Sequence, residues 1–471
     1  MSRRLAAIGQ GHLLRFYDDL PAGAQRALIE QVSSLELESV PRWVEEYIRE
    51  KPQAAAPGEI EPAPYYPADP GSAGRPWDRE RFRAAGEALL RAGRVSAFTV
   101  AGGQGSRLGF EGPKGMYPAG AVTGKPLFQL FAEGLRATQR KYGKAVPWYI
   151  MTSPLNHAAT VEFFEREGFF GLGRGEVVFF PQGVMPSFDM RTGLMLLAGK
   201  GEVATNPDGH GGSIRALHQS GALADMRRRG VEHISYFQVD NPIVRVADPV
   251  FLGLHIAAPD SSAEMSSKMI PKAYPEEKMG VFVRDGGEGG RVRVIEYSDL
   301  PSALAGERGP DGALRFIAGS IAVHVMSVEF VTRLNTERGL ELPFHRAEKR
   351  VPHVDPRTGE PVNPASPNGV KLERFVFDAL PLCRSSVVLE TERVEEFAPI
   401  KNADGVDSPE SSRRVQTKRA ARWLGAAGVG VPERDGEPDC TLEIGPLTAL
   451  EAGDLAGRAL PRIARGARVA L

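Results

Sequence analysis

Residues 95–114 read V-S-A-F-T-V-A-G-G-Q-G-S-R-L-G-F-E-G-P-K, a short apolar run followed by a glycine-rich stretch. The run Val95–Val100 is rich in β-branched residues, which predicts a buried strand. The glycines at positions 102, 103, 105 and 109 would let the backbone take positive φ and approach a ligand closely. Free N–H groups there, with the charges of Arg107 and Lys114, suit phosphate oxygens. The stretch therefore predicts a polyanion-binding loop at the carboxyl end of a strand.

The spacing of these glycines excludes the two commoner phosphate loops. A dinucleotide fingerprint requires a third glycine where Leu108 stands. A Walker A loop requires Ser or Thr after its Gly-Lys pair, but Pro126 follows Gly124 and Lys125. The loop is of another kind, and a glycine-rich surface turn is the simpler alternative.

Composition restricts the kind of protein. A chain of 471 residues predicts two or three domains. The formal net charge of −1 gives nucleic acid or anionic lipid no overall attraction, so neither is expected as a partner. The two cysteines, Cys383 and Cys440, fit a reducing cytoplasm, and no apolar stretch is long enough for a membrane span. We expect a soluble cytoplasmic protein, and its oligomeric state stays open.

The order of segments predicts a doubly wound, mostly parallel α/β sheet, because short apolar runs alternate with amphipathic helices. The predicted strands are Val95–Val100, Trp148–Thr152, Val177–Phe180 and Ile234–Val239, with helices near Leu127–Lys141 and Ala158–Glu167. Ligands of such sheets bind at the carboxyl ends of the strands. We predict an N-terminal helical segment and Pro-rich connector at 1–80, a catalytic nucleotide- and sugar-binding domain at 81–385, and a small C-terminal domain at 386–471. The connector itself is the stretch 54–76.

The glycine-rich loop, continued by Gly115-Met116-Tyr117-Pro118, resembles the signature loop of the eukaryotic-type UDP-sugar pyrophosphorylases, and most of all that of their N-acetylglucosamine branch. The segment 11–17, G-H-L-L-R-F-Y, resembles the N-terminal helical segment of the same branch. This resemblance implies a Rossmann-like sheet of the GT-A nucleotidyltransferase type. It also implies that the loop wraps the triphosphate of UTP.

The resemblance assigns nucleotide contacts to particular residues. It implies that the Gly102–Gly103 backbone and the amide of Gln182 hold the uridine, and that Gly209 approaches the nucleotide. It further implies that Arg107, Lys114 and Lys401 bind the phosphates as catalytic residues. Asp240 is implied as the ligand of Mg²⁺, a cation that prefers carboxylate and phosphate oxygens. Without the resemblance, Gln182 and Lys401 would be solvated residues and Asp240 a turn or helix N-cap residue.

The implied sugar site contains two departures from the N-acetylglucosamine branch. Gly280 and Glu296 match positions that contact sugar hydroxyls. Phe375 and Phe377, on an alternating stretch that predicts a strand, are implied as walls of the site; without the resemblance they would be core residues. The departures are His210 and Ser320, which stand where that branch typically has Asn. Gly-His-Gly is typical of the UDP-glucose and broad-specificity branches.

The resemblance implies nucleotidyl transfer: UTP and a hexose 1-phosphate give a UDP-sugar and pyrophosphate. N-acetylglucosamine 1-phosphate is the expected sugar, and glucose 1-phosphate or a broader set is the alternative. A glycosyltransferase is disfavoured because the D-x-D pair is absent, Asp240 being followed by Asn241 and Pro242. A non-catalytic UDP-sugar sensor is disfavoured because the basic residues for a triphosphate are all present.

Overall fold

The structure, a computed structural model, describes residues 1–50, 59–287, 289–310, 312–337 and 341–471. These residues divide into two units. The first unit contains residues 1–50, 182–215 and 341–378. The second unit contains the described residues of 59–181, 216–337 and 379–471. The division into 1–80, 81–385 and 386–471 stays a prediction.

The second unit is built on a mixed sheet whose centre is parallel. Four neighbouring strands run parallel in the order Val177–Pro181, Trp148–Thr152, Val95–Val100 and His233–Gln238. Residues at their carboxyl ends lie side by side, since Val100 pairs with both Met151 and Gln238. The loop after Val95–Val100 therefore starts at the edge of the sheet where ligands of such folds bind.

An antiparallel region extends this sheet. The strand Ala318–Ser327 pairs antiparallel with His233–Gln238 and with Met265–Pro271. The other strands of the sheet are Ile60–Pro62, Val281–Asp285, Val292–Ile295 and Val388–Glu390. The predicted α/β class with a largely parallel centre is confirmed. The predicted strand Ile234–Val239 begins and ends one residue earlier than expected.

Helices cover the sheet of the second unit. Helices Leu127–Tyr142 and His157–Arg166 each begin and end within one residue of the positions predicted from the sequence. The remaining α-helices are Arg79–Arg91, Ala222–Arg228, Pro249–Ala257, Ser302–Ala305, Val328–Thr336, Arg393–Glu396 and Pro409–Ala426. Short 3₁₀ helices are Ser106–Leu108, Lys114–Met116, Gly168–Gly171, Arg174–Glu176 and Ala452–Leu455. Four short strands complete the unit: Glu433–Arg434, Glu437–Pro438, Thr441–Glu443 and Arg468–Ala470.

Two glycines let helices Arg79–Arg91 and Pro249–Ala257 pack backbone to backbone. A Cβ on Gly86 would lie 1.8 Å from the carbonyl oxygen of Pro249, and one on Gly253 would lie 1.7 Å from that of Phe82. Real side chains do not tolerate such distances, so both positions require glycine.

The first unit combines N-terminal helices with short strands. Its helices are Ser2–Ala7, Gly11–Leu14, Tyr17–Asp19, Ala22–Ser34, Leu37–Ser39, Val40–Trp43 and the π-helix Val44–Arg49. Its strands are Val184–Pro186, Phe188–Asp189, Leu197–Gly199, Glu202–Val203, Thr205–Pro207, His345–Lys349, His353–Val354, Pro361–Val362 and Gly369–Glu373. Helices Gly212–Gln219 and Val376–Leu382 contain the points where the chain passes between units. Of the predicted connector, residues 54–58 lie outside the described residues, and residues 59–76 contain no helix.

None of the helices in the described part of the chain is both long and apolar enough to cross a membrane.

Candidate active site

The glycine-rich loop of the second unit is folded onto itself by backbone hydrogen bonds. The N–H of Gly105 donates to the carbonyl of Gly112 over 2.9 Å, and the N–H of Lys114 donates to that of Gly103 over 3.0 Å. The 3₁₀ helices Ser106–Leu108 and Lys114–Met116 lie within and after it. This compact loop carries Arg107 exposed and Lys114 half-buried.

The glycines of this loop do not all adopt the positive φ that the sequence predicts for them. Positive φ was predicted for Gly102, Gly103, Gly105 and Gly109, but only Gly109 adopts it, at +66°. The prediction is wrong for the other three. Gly105 is required for a different reason, since its Cβ would lie 2.7 Å from the ring of Phe110. The loop therefore depends on close packing as much as on unusual dihedral angles.

Asn156 holds the loop against the neighbouring strand end, and sequence reasoning missed it. Its side chain is buried, with its amide nitrogen donating to the carbonyls of Ala101 (3.1 Å) and Gly103 (3.3 Å). Its amide oxygen accepts from the N–H of Ser153 over 2.7 Å. An amide shortly after the predicted strand Trp148–Thr152 is the only signal of this role in the sequence.

The structure brings four predicted catalytic and metal-binding residues together in the second unit. Burial lowers the pKa of the Lys114 ammonium; Asp240 opposes this shift, and the positive charges of Lys401 and Arg107 add to it. Lys401 also forms an ion pair with Asp407, at 3.4 Å. Lys114 is thus close to two other cations and to the carboxylate of Asp240. Clustered cations of this kind suit polyphosphate binding.

Asp240 lies in the turn after strand His233–Gln238, and its carboxylate is half-buried. Among the described residues this carboxylate has neither a hydrogen-bond donor nor an ion-pair partner within 4.0 Å. No group of three or more Asp, Glu, His or Cys able to hold a metal occurs in the described ranges. A single hard oxygen ligand fits a cation that completes its shell with phosphate oxygens and water.

A second set of predicted residues meets elsewhere in the second unit. The N–H of Ser320 donates to the carbonyl of Gly280 over 2.8 Å. A Cβ on Gly280 would lie 3.2 Å from Glu296 Oε1 and 2.6 Å from Val294, so glycine allows the carboxylate its position. Ala322 takes a φ of +53°, which bends the strand just after Ser320. The structure thus groups Gly280, Glu296 and Ser320.

In the first unit, the loop Pro207–Gly212 packs on the backbone of Arg374 and Phe375. The N–H of Gly211 donates to the carbonyl of Arg374 over 2.7 Å, and the N–H of Arg374 donates to that of Asp208 over 2.9 Å. Gly209 has a φ of +82°, and its Cβ would lie 2.3 Å from the Arg374 carbonyl. Close backbone approach at Gly209, predicted for a nucleotide, is here an approach to the protein's own chain.

Asp208 is a buried carboxylate at the base of this loop that the sequence did not single out. It lies against two glycines: a Cβ on Gly212 would come within 2.1 Å of its Cγ, and one on Gly183 within 2.6 Å of Oδ2. Burial raises the pKa of Asp208 to about 7, although the nearby charge of Arg374 opposes the shift. Its Oδ1 is buried with no hydrogen-bond partner among the described residues.

His210 is held in one protonation state by its neighbours. The N–H of Val376 donates to His210 Nδ1 over 3.2 Å, so in the neutral ring the proton is on Nε2. Burial lowers the pKa of His210 to about 4, and the charge of His345 contributes in the same direction. At neutral pH His210 therefore offers an N–H donor at Nε2.

The two predicted wall residues lie beside His210 but not on a strand. The alternation of Phe375-Val376-Phe377-Asp378 predicted a strand; this is wrong, because a 3₁₀ helix spans Val376–Leu382. The rings of Phe375 and Phe377 lie 5.2 Å apart, centroid to centroid. The ring of His345 also stacks on that of Phe375, with 4.1 Å between centroids. The Nε2 of His345 lies 2.8 Å from Asp378 Oδ2.

Gln182 directly follows strand Val177–Pro181 and begins the second segment of the first unit, residues 182–215. Its side chain is buried, and its amide forms no hydrogen bond with other residues that the structure describes. A polar amide in this state is suited to reading a base edge, since it offers a donor and an acceptor together.

Residues 79–414 match the family described as UTP–glucose-1-phosphate uridylyltransferase. This match covers more than half of the chain and contains the glycine-rich loop, Asp240 and Lys401. The chain belongs to this family. The resemblance seen in the sequence is thereby confirmed.

Relatives within the family are similar over nearly the whole chain. UDP-N-acetylhexosamine pyrophosphorylase-like protein 1 of Xenopus tropicalis is 38% identical, covering 95% of this chain and 91% of its own. UDP-N-acetylglucosamine diphosphorylase 2 of Arabidopsis thaliana is 34% identical, covering 98% of this chain and 91% of its own. The crystal structure of a uridine diphosphate N-acetylglucosamine pyrophosphorylase from Trypanosoma brucei superposes with a TM-score of 0.81 at 27% identity. That superposition covers 96% of this chain and 93% of the other.

Proposed function

We propose that this chain transfers the uridylyl group of UTP to a hexose 1-phosphate, N-acetylglucosamine 1-phosphate above all, and releases pyrophosphate. Family membership gives the reaction class, a uridylyltransferase that makes a UDP-sugar. The relatives that match nearly end to end are named as a UDP-N-acetylglucosamine diphosphorylase and as a UDP-N-acetylhexosamine pyrophosphorylase-like protein. The observation that carries the proposal for the site is the grouping of Arg107, Lys401 and Asp240 around Lys114.

The reaction is an in-line displacement at the α-phosphorus of UTP. A phosphate oxygen of the sugar 1-phosphate attacks, the bond from the α-phosphorus to the bridging oxygen breaks, and pyrophosphate leaves with that oxygen and its electron pair. Lys114 and Lys401 neutralise charge on the reacting phosphates, and Arg107 binds the leaving pyrophosphate. Positioning and charge neutralisation provide most of the acceleration in such displacements, so no covalent nucleophile is required.

The reaction of this family uses a divalent cation, and we propose Mg²⁺ held by Asp240. The half-buried, unpaired carboxylate at the end of a parallel strand supports this assignment. When bound, the cation supplies positive charge to the phosphate oxygens. Lys114 is close enough to Asp240 for their charges to interact. The site therefore contains both a carboxylate to bind the cation and an ammonium to bind the phosphates.

The remaining predicted contacts belong to the same proposal. Gln182 reads the uracil edge, and the backbone of Gly102 and Gly103 holds the uridine. Gly280 and Glu296 bind sugar hydroxyls, and Phe375 and Phe377 provide apolar walls.

The sugar is tested most sharply by His210 and Ser320. The neutral His210 offers an N–H donor at Nε2, as the amide of Asn would, and this supports acceptance of an acetamido carbonyl. Ser320 is shorter than Asn and reaches less far. A second candidate specificity, for glucose 1-phosphate or a broad set of sugars, is favoured by the shorter Ser320 and by the Gly-His-Gly sequence around His210, which is typical of those branches.

The test is pyrophosphate release with UTP, Mg²⁺ and the 1-phosphates of glucose, galactose, N-acetylglucosamine and N-acetylgalactosamine. Preference for acetamido sugars supports the first specificity. Preference for glucose or galactose identifies His210 and Ser320 as the residues that changed it. Binding of UTP without turnover of any sugar 1-phosphate would contradict the proposed enzymatic activity and favour a non-catalytic UDP-sugar sensor.

We also propose a cytoplasmic location. Cys383 and Cys440 are both free thiols, and Cys383 is buried. Free buried thiols are typical of a reducing compartment. Fractionation of the native host cells checks this proposal.

A further inference from the structure

Asn241, the residue after Asp240, is buried and binds a distant segment of the second unit. Its amide nitrogen donates to the carbonyl of Glu396 over 2.6 Å, and its amide oxygen accepts from the N–H of Ala398 over 3.1 Å. The segment bound in this way leads directly to Lys401. Both hydrogen-bonding groups of the amide are therefore used to join the chain at Asp240 to the chain at Lys401.

Two further hydrogen bonds fix the same segment. The N–H of Ile400 donates to the carbonyl oxygen of Asp240 over 2.8 Å. The hydroxyl of Ser412, on helix Pro409–Ala426, donates to the carbonyl of Ala398 over 2.7 Å. The backbone at Asp240 and the residue preceding Lys401 are thus in direct contact.

The far end of the segment is anchored by buried charges. The ammonium of Lys268 lies 2.6 Å from both carboxylate oxygens of Glu396 and 2.7 Å from Asp248. Lys268 is 1% exposed, and its partners are also buried. Buried charges are costly to separate, so Glu396 cannot shift without losing this arrangement. The carbonyl that Asn241 binds is consequently a fixed point.

We propose that Asn241 is a positioning residue for uridylyl transfer, which sets the Lys401 ammonium relative to the Asp240 carboxylate by binding the segment 396–398. This inference rests on the proposed function. Asn241 touches no reacting atom itself. Misplacement of a charged group by about 1 Å can cost about a hundredfold in rate, which is the size of effect expected from releasing the segment.

The first test compares Asn241→Ala with a matched variant, Asn368→Ala. Asn368 makes the same pair of bonds in the first unit: it donates to the carbonyl of Val351 (3.1 Å) and accepts from the N–H of Val351 (2.8 Å). Each side chain also makes a third, longer bond: Asn241 Oδ1 accepts from the N–H of Ile243 (3.4 Å), and the Asn368 amide nitrogen donates to His353 Nδ1 (3.3 Å). Both variants therefore lose three amide hydrogen bonds, so similar losses of stability are expected. We expect Asn241→Ala to lower kcat by roughly 10- to 100-fold and Asn368→Ala to leave it unchanged.

A double mutant identifies Lys401 as the group through which Asn241 acts. In the Lys401→Ala background, Asn241→Ala should lower kcat no further, because there is no ammonium left to position. Independent, multiplying effects of the two substitutions would overturn the inference. Equal kcat values for Asn241→Ala and Asn368→Ala would overturn it too.

A second readout does not use turnover. UTP, which carries the reacting α-phosphate, is titrated calorimetrically without metal into the full chain. We expect Asn241→Ala to raise its Kd several-fold and Asn368→Ala to leave its Kd unchanged. In the Lys401→Ala background, Asn241→Ala should raise the Kd no further. An unchanged Kd in Asn241→Ala contradicts the inference even if turnover falls.

Two alternatives keep the test decisive. If Asn241→Ala does not fold, Ser412→Ala loosens the same segment at Ala398 and is judged by the same criteria. If the unsubstituted chain turns over no sugar 1-phosphate, the proposed function fails, and UTP binding still decides whether Asn241 positions Lys401.

Discussion

The imidazole of His210 lies parallel to the ring of Phe375, with 5.0 Å between centroids and 8° between planes. With Nδ1 bound by the Val376 N–H, this stacking fixes the plane of the ring and the direction of its Nε2–H. A donor fixed in this way selects among substrates by whether they supply an acceptor. Sugar selectivity is therefore the first property to test.

We expect His210→Asn combined with Ser320→Asn to increase the preference for N-acetylglucosamine 1-phosphate over glucose 1-phosphate. Both exchanges introduce amides, and a correctly paired polar group contributes roughly 1–3 kcal/mol of discrimination. The measurement is the ratio of kcat/KM for the two sugars, with an expected rise of about tenfold or more.

The control for this exchange is His218→Asn, an exposed histidine on helix Gly212–Gln219. It should leave the ratio unchanged. A ratio that stays constant in the double variant would show that neither residue governs the sugar.

The fold followed from local patterns, and the supports of the site did not. Val95–Val100 is apolar and β-branched, and its strand begins and ends as predicted. Phe375–Asp378 alternates as a strand would, but its last three residues begin a 3₁₀ helix, because four residues cannot distinguish the two periods. Asn156, Asp208 and Asn241 act through partners far away in sequence. Their local sequence does not identify those partners, since their roles depend on which segments the fold brings together.

The three cations should differ from surface lysines in their effect on turnover. We expect Lys114→Ala and Lys401→Ala each to lower kcat by about a hundredfold or more, because charge stabilisation in a displacement of this kind is lost. Arg107→Ala should act mainly on the KM for pyrophosphate in the reverse direction. The measurement is steady-state kinetics in both directions.

Lys144→Ala, on an exposed lysine, is the matched control and should leave all constants unchanged. The free energy of unfolding should change little in the three site variants, since none of these side chains is fully buried. A Lys114→Ala enzyme with normal turnover would remove Lys114 from the mechanism.

Asp240 should determine the requirement for a divalent cation. We expect Asp240→Asn to raise the Mg²⁺ concentration for half-maximal activity at least tenfold, because the amide is a weaker ligand than the carboxylate. A chelator should abolish activity of the unsubstituted chain, and added Mg²⁺ should restore it. Asp407→Asn, which removes the ion-pair partner of Lys401 instead, should leave the Mg²⁺ dependence unchanged. Equal Mg²⁺ dependence of Asp240→Asn and the unsubstituted chain would contradict the assignment.

Two glycines in helices should respond in opposite ways to the same substitution. Gly253→Ala should lower the free energy of unfolding by roughly 1–3 kcal/mol, because its Cβ would lie 1.7 Å from the Phe82 carbonyl oxygen. Gly425→Ala, in helix Pro409–Ala426, should raise it by up to about 1 kcal/mol, because its Cβ meets nothing within 4 Å and alanine favours helix. Denaturant unfolding measures both. Stabilisation by Gly253→Ala would contradict the backbone contact between the two helices.

The buried pair His233 and His255 should make the protein sensitive to acid. Their rings lie 5.1 Å apart. Burial lowers the pKa of His233 to about 4 and that of His255 well below 6.5. Between pH 6.5 and 4 the unfolded chain therefore binds more protons than the folded one. The stability from the neutral rings is complete above pH 6.5 and is lost as the pH falls towards 4. His233→Gln should reduce the slope of unfolding free energy against pH in this window by up to about 1.4 kcal/mol per pH unit. The exposed His218→Gln should leave it unchanged, and equal slopes in all three proteins would contradict neutral burial of His233.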